Sequence, residues 1–410
     1  MRIAATAAAS ALLFCASAAY ADCVQIVRAK QFSSVAIKSD TGVPPVSAVR
    51  FVPKHNALLS ASENLVCLWD AKTLARKKRF YSEAFGKLNA VCADADGRFA
   101  YAAGGAPGKS GGVFKINLDT GETRTVLEAA DEFYATAFDP EAKLLAAGAL
   151  NGELAVVNAE SGETLFRSPP DGSKVVALEF SPKGAYLAAA YADGRIVARA
   201  AEDSFKTPAA SLNARGVPVA MKFMPGREKD IAIASGFGTD AKITTFRAFS
   251  ERTRREIATP GANAAAFYVR GIGYPFVLAG KSGALTAYKN AQNADPMCYE
   301  SVNMRFECAD RGAINNVVAA GSGGRIILWQ NYNGLLVGGI VIQDPKGEDY
   351  AVWTVQGNAH STRENSVEFL DSKGGRPENA RNFLSRERAE KFLEGKNSQK
   401  KASPKPKGKA

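Results

Sequence analysis

The sequence predicts an all-β fold assembled from one repeated unit, and three observations support this prediction. Aromatic residues that precede a turn recur roughly every 42 residues, as at Phe51, Phe138, Phe180 and Phe223. Each is followed by a run of small apolar residues and by a turn rich in Gly, Asn or Asp, which is typical of β-hairpins. Apolar residues show no helical period before residue 375, which argues against folds that alternate strands with helices.

Seven units follow this plan, with a third strand after each hairpin, as in LVCLWD (65–70) and RIVARA (195–200). The residues that end the first strand are Phe51, Ala93, Phe138, Phe180, Phe223, Phe267 and Phe306. The gaps between them lie between 39 and 45 residues. Three or four strands in a unit of this length are typical of the blades of a β-propeller, which we expect over residues 22–372.

The number of blades depends on how the two ends of this region are used. DYAVWTVQG (349–357) has the pattern of another first strand, and SVEFL (366–370) can follow it. The runs CVQIVRA (23–29) and SSVAIK (33–38) supply two more strands from the other end. We therefore expect eight blades of about 42 residues, the last closed by strands from both termini, with seven blades as the alternative.

The first 21 residues are predicted to be a signal peptide. Arg2 is followed by an apolar stretch over 3–19, and Ala19-Tyr20-Ala21 fits the small-x-small pattern of a cleavage site. We expect an exported protein, periplasmic or secreted, with no transmembrane segment. Export permits disulfides, and Cys298 and Cys308 are the candidate pair, provided that the chain turns between them.

Short motifs resemble those of WD-repeat proteins: LWD (68–70), FSPKG (180–184) and ADGRI (192–196). The resemblance covers residues 46–330. It departs from the family because no unit contains the Gly-His pair; the chain has two histidines, His55 and His360. The histidine–aspartate hydrogen bonds usual within each blade are therefore missing.

The region after the repeats resembles a segment of bacterial WD-repeat proteins that carry a caspase-like protease domain. YAVWTVQG (350–357) and FLSRER (383–388) carry this resemblance, and the protease domain itself has no counterpart here. A helix is predicted over 378–395, within a helical extension over 373–395. Residues 396–410 form a lysine-rich tail, predicted to be disordered.

The tail accounts for most of the positive charge. It holds six lysines and no acid, whereas the net charge is +11, or +10 without Arg2. The tail therefore predicts weak electrostatic contact with anionic envelope polymers rather than a basic groove on the propeller. Nucleic acid is not an expected partner, because basic and aromatic residues do not interleave.

Function is predicted less directly than fold. The expected function is a non-catalytic scaffold that binds protein partners in the cell envelope through loops on the propeller faces. Candidate partner-binding residues are Arg215, Arg227, Arg252, Arg254 and Arg255. The alternative is a hydrolase, lactonase or other enzyme with its site at the central channel. Two histidines in the chain and no metal-ligand spacing count against that alternative, and no catalytic, cofactor or metal residues are assigned.

Overall fold

The computed structural model shows a chain built almost entirely from β-strands. It describes residues 23–27, 34–52, 55–139, 141–236, 238–259, 264–269, 276–280, 285–288, 296–299, 302, 304–311, 316–330, 333–354, 359–364 and 366–370. Within these residues the helices are single 3₁₀ turns, at Glu83–Phe85, Ala201–Asp203, Gly238–Asp240 and Ser322–Gly324. None of the described helices is long and apolar enough to cross a membrane.

Two strands, β1 (Cys23–Val27) and β2 (Ser34–Ser39), precede a series of antiparallel sheets. Blades 1 to 3 contain β3 (Ala48–Val52), β4 (Ala57–Ser62), β5 (Leu65–Asp70), β6 (Arg76–Tyr81); β7 (Lys87–Ala93), β8 (Phe99–Ala106), β9 (Ser110–Asn117), β10 (Thr123–Ala129); β11 (Phe133–Asp139), β12 (Leu144–Ala149), β13 (Leu154–Asn158) and β14 (Thr164–Arg167).

The remaining blades repeat the same order. Blades 4 to 6 contain β15 (Val175–Phe180), β16 (Tyr186–Tyr191), β17 (Arg195–Ala200), β18 (Pro208–Asn213); β19 (Pro218–Phe223), β20 (Ile231–Ser235), β21 (Lys242–Arg247), β22 (Ser250–Ala258); β23 (Ala264–Val269), β24 (Phe276–Gly280), β25 (Leu285–Tyr288) and β26 (Met297–Cys298). Blade 7 contains β27 (Phe306–Arg311), β28 (Asn316–Gly321), β29 (Arg325–Gln330), β30 (Leu336–Ile342), β31 (Tyr350–Thr354) and β32 (Ala359–Ser361), and β33 (Val367–Leu370) follows.

The blades form a closed circle of seven. The first strand of each blade lies against the first strand of the next, and β27 lies against β3. Seven clusters of buried apolar side chains fill the spaces between neighbouring blades, one at each junction. The small residues of the second strands, such as Ala147 and Ala189, are buried there, because sheets packed face to face leave little room.

The expected eighth blade is wrong, although its strands exist. The segment around Trp353 forms β31, which pairs with the outer edge of β30 and makes blade 7 six-stranded with β32. The two ends of the region do meet, but as a separate three-stranded sheet in the order β1-β2-β33. A buried apolar strand has the same sequence pattern in either place, so the pattern did not separate an inner strand from a fifth strand.

The three-stranded sheet is attached to blade 7 by polar contacts. Arg363 makes a two-pronged ion pair with Asp40, at 2.7 and 3.1 Å. The buried Gln343 side chain donates to the Lys38 carbonyl at 2.6 Å and accepts from the Ser361 hydroxyl at 2.6 Å. These bonds join the first described strands to the last ones.

Two faces result from the order of strands. Connections between blades and between second and third strands lie on one side, here the upper face; the other hairpin turns lie on the lower face. Lower-face turns are fixed by side-chain caps: Asp70, Asn117 and Asn158 each accept two backbone N–H bonds from the turn that follows. The signal peptide, the helical extension and the lysine-rich tail lie outside the described residues and stay predictions.

Candidate functional site

Four charged side chains occupy equivalent positions on first strands around the central channel. Arg50, Glu179 and Lys222 each immediately precede an aromatic residue at or next to the end of the first strand. Asp310 has the same place on β27. It immediately precedes Arg311, which ends that strand and pairs with Val317 near the start of β28. First strands surround the axis of a propeller, so side chains that interact across several blades do so through the channel.

Asp310 of blade 7 bridges to blade 1. Its carboxylate accepts the Phe51 backbone N–H at 2.8 Å and lies 3.9 Å from the Arg50 guanidinium. The Asp310 carboxylate raises the pKa of Arg50, and burial opposes this shift. Asp310 thus joins blade 7 to blade 1 through one backbone N–H and one ion pair.

Glu179 of blade 4 bridges to blade 5 in the same way. Its Oε1 lies 3.4 Å from Lys222 Nζ, and the Phe223 backbone N–H also favours the ionised carboxylate. Burial nevertheless raises the pKa of Glu179, against the opposing effects of Lys222 and Arg50. Its Oε2 is buried without a hydrogen-bond partner, so this pair is less complete than the one at Asp310.

The two pairs are coupled electrostatically. Arg50 of blade 1 and Glu179 of blade 4 perturb each other's pKa, although three blade junctions separate them along the circle. Because opposite charges alternate, the channel residues neutralise one another instead of creating a field of one sign.

The arrangement is that of structural bridges. A side chain that acts as a general acid or base must face the substrate and have a partner that adjusts its pKa. Both carboxylates here are directed at the next blade instead. Among the described residues no three His, Cys, Asp or Glu side chains are grouped so as to hold a metal ion. His55 lies on the lower face with its Nε2 2.6 Å from the Asp96 carbonyl oxygen, and His360 is buried in β32.

The five predicted arginines do not form one surface. Arg215 is exposed on the upper face between blades 4 and 5, and Arg227 is exposed on the lower face in the turn after β19. Arg252, Arg254 and Arg255 lie on the outer strand β22. Of these, Arg254 is engaged: it pairs with Glu251 at 3.2 Å and Glu256 at 2.9 Å and lies over the Phe246 ring.

The structure holds no bond between Cys298 and Cys308, the two cysteines of the expected disulfide. Cys298 is exposed on the outer strand β26, whereas Cys308 lies on β27, the first strand of the next blade. Because β26 is the outer strand of one blade and β27 the inner strand of the next, a disulfide would need these two strands to come together.

Sequence reasoning missed the channel residues, although a signal for them was present. In units already aligned on their aromatic residues, the preceding position reads Arg, Glu and Lys at 50, 179 and 222. Asp310 was hidden because Phe306 was taken as the end of the first strand, where the structure shows its beginning.

Comparison with known proteins shows the fold. No family model matches the chain, and no curated protein matches it. A solved structure of the computationally designed Ika8 protein is similar, with 16% identity, a TM-score of 0.55, and coverage of 80% of this chain and 97% of that one. A chain in a structure of the mitotic checkpoint complex has 13% identity, a TM-score of 0.61, and coverage of 79% and 98%. At these identities the likeness is one of fold, and the chain is a seven-bladed β-propeller.

Proposed function

We propose that this propeller is a non-catalytic scaffold that binds protein partners, and that it acts outside the cytoplasm, in the periplasm or the secreted space. The observation that carries the proposal is the use of the channel charges: Asp310 and Glu179 both bridge neighbouring blades. The groups that an enzyme would place around the channel are thereby used to hold the circle of blades together.

The faces support a binding role because they present loops on a rigid frame. Loops held by a stable scaffold are where binding residues usually lie. On the upper face, exposed Arg215 and Val217 occupy one loop, whose Val217 carbonyl accepts the Gly236 N–H at 3.0 Å. The similar chain from the mitotic checkpoint complex belongs to a multiprotein assembly by its name, which accords with this use of the fold.

Crosslinked capture from envelope extract tests the proposal, with the chain lacking its predicted signal peptide as bait and a second bait that also lacks residues 396–410. We expect one defined protein partner to be retained by both baits. Capture that disappears with the tail, or with added salt, would reduce the interaction to charge attraction and contradict the scaffold. Recovery of no partner by either bait would contradict it as well.

A further inference from the structure

A small cavity lies on the lower face between blades 2 and 3. Its volume is about 40 Å³, which gives room for about three water molecules. It is enclosed by the turn between β7 and β8, by β9, and by the lower-face turns that precede β12 and β14 of blade 3. Three aromatic rings, three acids and three cations line it, so a molecule that enters meets both apolar and charged walls.

Lys115 of β9 places its amine at the wall of this cavity. The side chain is buried, with 8% of the residue exposed, and Nζ donates to the Ala159 carbonyl at 2.8 Å. Nζ also lies 4.1 Å from the centre of the Phe99 ring and 5.8 Å from that of the Tyr101 ring. Ala159, Phe99 and Tyr101 all line the cavity, so the surroundings of the amine are those of the cavity itself.

Of the three cations, Lys115 alone has no acidic partner at ion-pair distance among the residues that the structure describes. Arg98 lies 3.7 Å from Asp96, and Lys143 lies 2.6 Å from Glu160. Both of these pairs are exposed, whereas Lys115 is buried. An ammonium group that is buried without a carboxylate loses hydration and gains no ion pair in return.

The pKa of Lys115 is lowered in this environment. Burial is the main cause, and the charge of Arg124, its partner on the neighbouring strand β10, lowers the pKa further. Asp94 and Glu160 oppose this with smaller effects. A larger share of this amine than of an exposed lysine is thus neutral at a given pH. A neutral amine has a free lone pair and is a nucleophile, and it keeps two N–H groups, one of which can still bond the Ala159 carbonyl.

The charges of the cavity decide which electrophile suits the amine. The three cations and the three acids balance. A product with an added negative charge, such as a carbamate, would lie beside Asp94 and Glu160, whose charges already act on Lys115. A product with a positive charge on nitrogen can keep its place over the Phe99 ring. The imine of an aldehyde meets this condition, since its nitrogen can be protonated as the amine is.

We propose that Lys115 is a modification site for small uncharged aldehydes, which enter this cavity and form an imine with its amine. The Nζ lone pair forms a bond to the carbonyl carbon, and the electrons of the C=O double bond pass to the oxygen. The two protons of the amine and that oxygen leave as one water molecule, and the nitrogen–carbon double bond forms. The reaction needs no oxidant or reductant. It concerns a site apart from the proposed partner binding and does not depend on it.

Reductive alkylation compares the reactivity of single lysines. The folded protein is treated at neutral pH with limiting formaldehyde and cyanoborohydride, which reduces each imine to a stable amine, and peptide mass spectrometry gives the labelling rate of each lysine. Lys143, at the rim of the same cavity, and Lys109, exposed in the turn between β8 and β9, are the internal controls. A second series uses carboxybenzaldehyde, an aldehyde that is larger and anionic.

We expect formaldehyde to label Lys115 at least about fivefold faster than Lys109 and Lys143, because more of its amine is neutral. Carboxybenzaldehyde should label the two controls and not Lys115. Urea-unfolded protein should lose the preference for Lys115, since the cavity is then gone. A purely structural Lys115, which only bridges blades 2 and 3, predicts the opposite order, because its amine is buried. Labelling of Lys115 at or below the rate of Lys109 would therefore overturn the site, as would equal labelling by the two aldehydes.

Two substitutions test the cause of the reactivity. Asp94→Asn removes a charge that raises the pKa of Lys115 and should about double its labelling rate, whereas Arg124→Gln removes one that lowers it and should about halve the rate. Arg252→Gln, on the exposed part of β22, is the control and should leave the rate unchanged. Changes of the same sign in Asp94→Asn and Arg124→Gln would show that access governs the labelling instead of the charge of the cavity, and would overturn the proposed site.

Discussion

Blades 7 and 1 meet where the two ends of the circle come together, whereas blades 4 and 5 are joined directly by the chain. Both junctions nevertheless contain the same element: an acid on one first strand, a base on the next, and a backbone N–H directed at the acid. What differs is which side chains surround this element and whether the chain itself joins the two blades.

Both junctions have contacts farther from the axis; at the 4/5 junction Glu251 accepts the Asn213 N–H at 2.7 Å, and the closing junction has its own set. Arg76 and Arg79 donate to the carbonyls of residues 346–348, and the Tyr350 ring meets Trp69 edge to face, with centroids 5.3 Å apart. No chain connection holds blade 7 against blade 1, so side chains must supply what covalent linkage gives at the 4/5 junction. The comparison indicates that closure here depends on packing and hydrogen bonds between complete blades, not on one blade shared by both ends.

Removing an aromatic ring from each junction gives the largest effect. Tyr350→Ala and Phe246→Ala should each lower the free energy of unfolding by about 3–5 kcal/mol, because both side chains are buried. Urea unfolding measures this loss, and hydrogen exchange shows where it acts. Tyr350→Ala should accelerate exchange in β3–β6 and β27–β32, and Phe246→Ala in β15–β22. The same exchange pattern from both variants would contradict a separate closing junction.

Removal of the two acids gives the next effect. Asp310→Ala should cost about 2 kcal/mol, because the Phe51 N–H and the Arg50 guanidinium lose their acceptor. Glu179→Gln should cost about 1 kcal/mol or less, because burial already disfavours its charge and one oxygen has no partner. Urea unfolding at neutral pH compares the two variants. A larger loss of unfolding free energy in Glu179→Gln than in Asp310→Ala would contradict the prediction that the Asp310 bridge is the stronger of the two.

The outer part of the 4/5 junction is tested by two neighbouring arginines. Arg254→Ala should destabilise by about 1 kcal/mol, since Arg254 pairs with two glutamates and lies over the Phe246 ring. Arg252→Ala is the matched control and should change stability by less than about 0.5 kcal/mol, because its side chain is exposed. Thermal unfolding of both variants decides; equal values would show that Arg254 adds nothing to this junction.

The smallest effect is a pH dependence that belongs to one junction. Because burial raises the pKa of Glu179 in the folded protein, its contribution to stability is greatest below the unfolded pKa, about 4.3. That contribution is lost as pH rises through the folded pKa. The stability of the wild type relative to Glu179→Gln should therefore fall as the pH rises above about 4. Urea unfolding of both proteins at several pH values measures this. A difference in unfolding free energy that does not change with pH would contradict the role given to Glu179.

The sequence predicted the repeated hairpins well, because Gly and Asp turns and small second strands have local causes. The register of the last two units was wrong: Val269 and Arg311 end the first strands, where Phe267 and Phe306 were expected. Phe306 is buried at the start of β27, and an aromatic residue gives the same signal at either end of a strand. The channel residues had a local signal, a charge just before the aligned aromatic residue at 50, 179 and 222. Which of them pair could not be predicted locally, because each pair joins two blades and Arg50 and Asp310 lie at opposite ends of the repeats.

The sheet formed by β2 and β33 has a consequence for how the protein reaches its final state. These strands are more than 300 residues apart in sequence, so their pairing is among the most non-local contacts in the molecule. During synthesis the early blades can form while this pairing waits for residues 367–370. A ribosome that stops before that point would leave β2 with an unpaired edge, open to pairing with another chain. The pairing of β2 with β33 thus makes the last step of folding wait for the synthesis of residues 367–370.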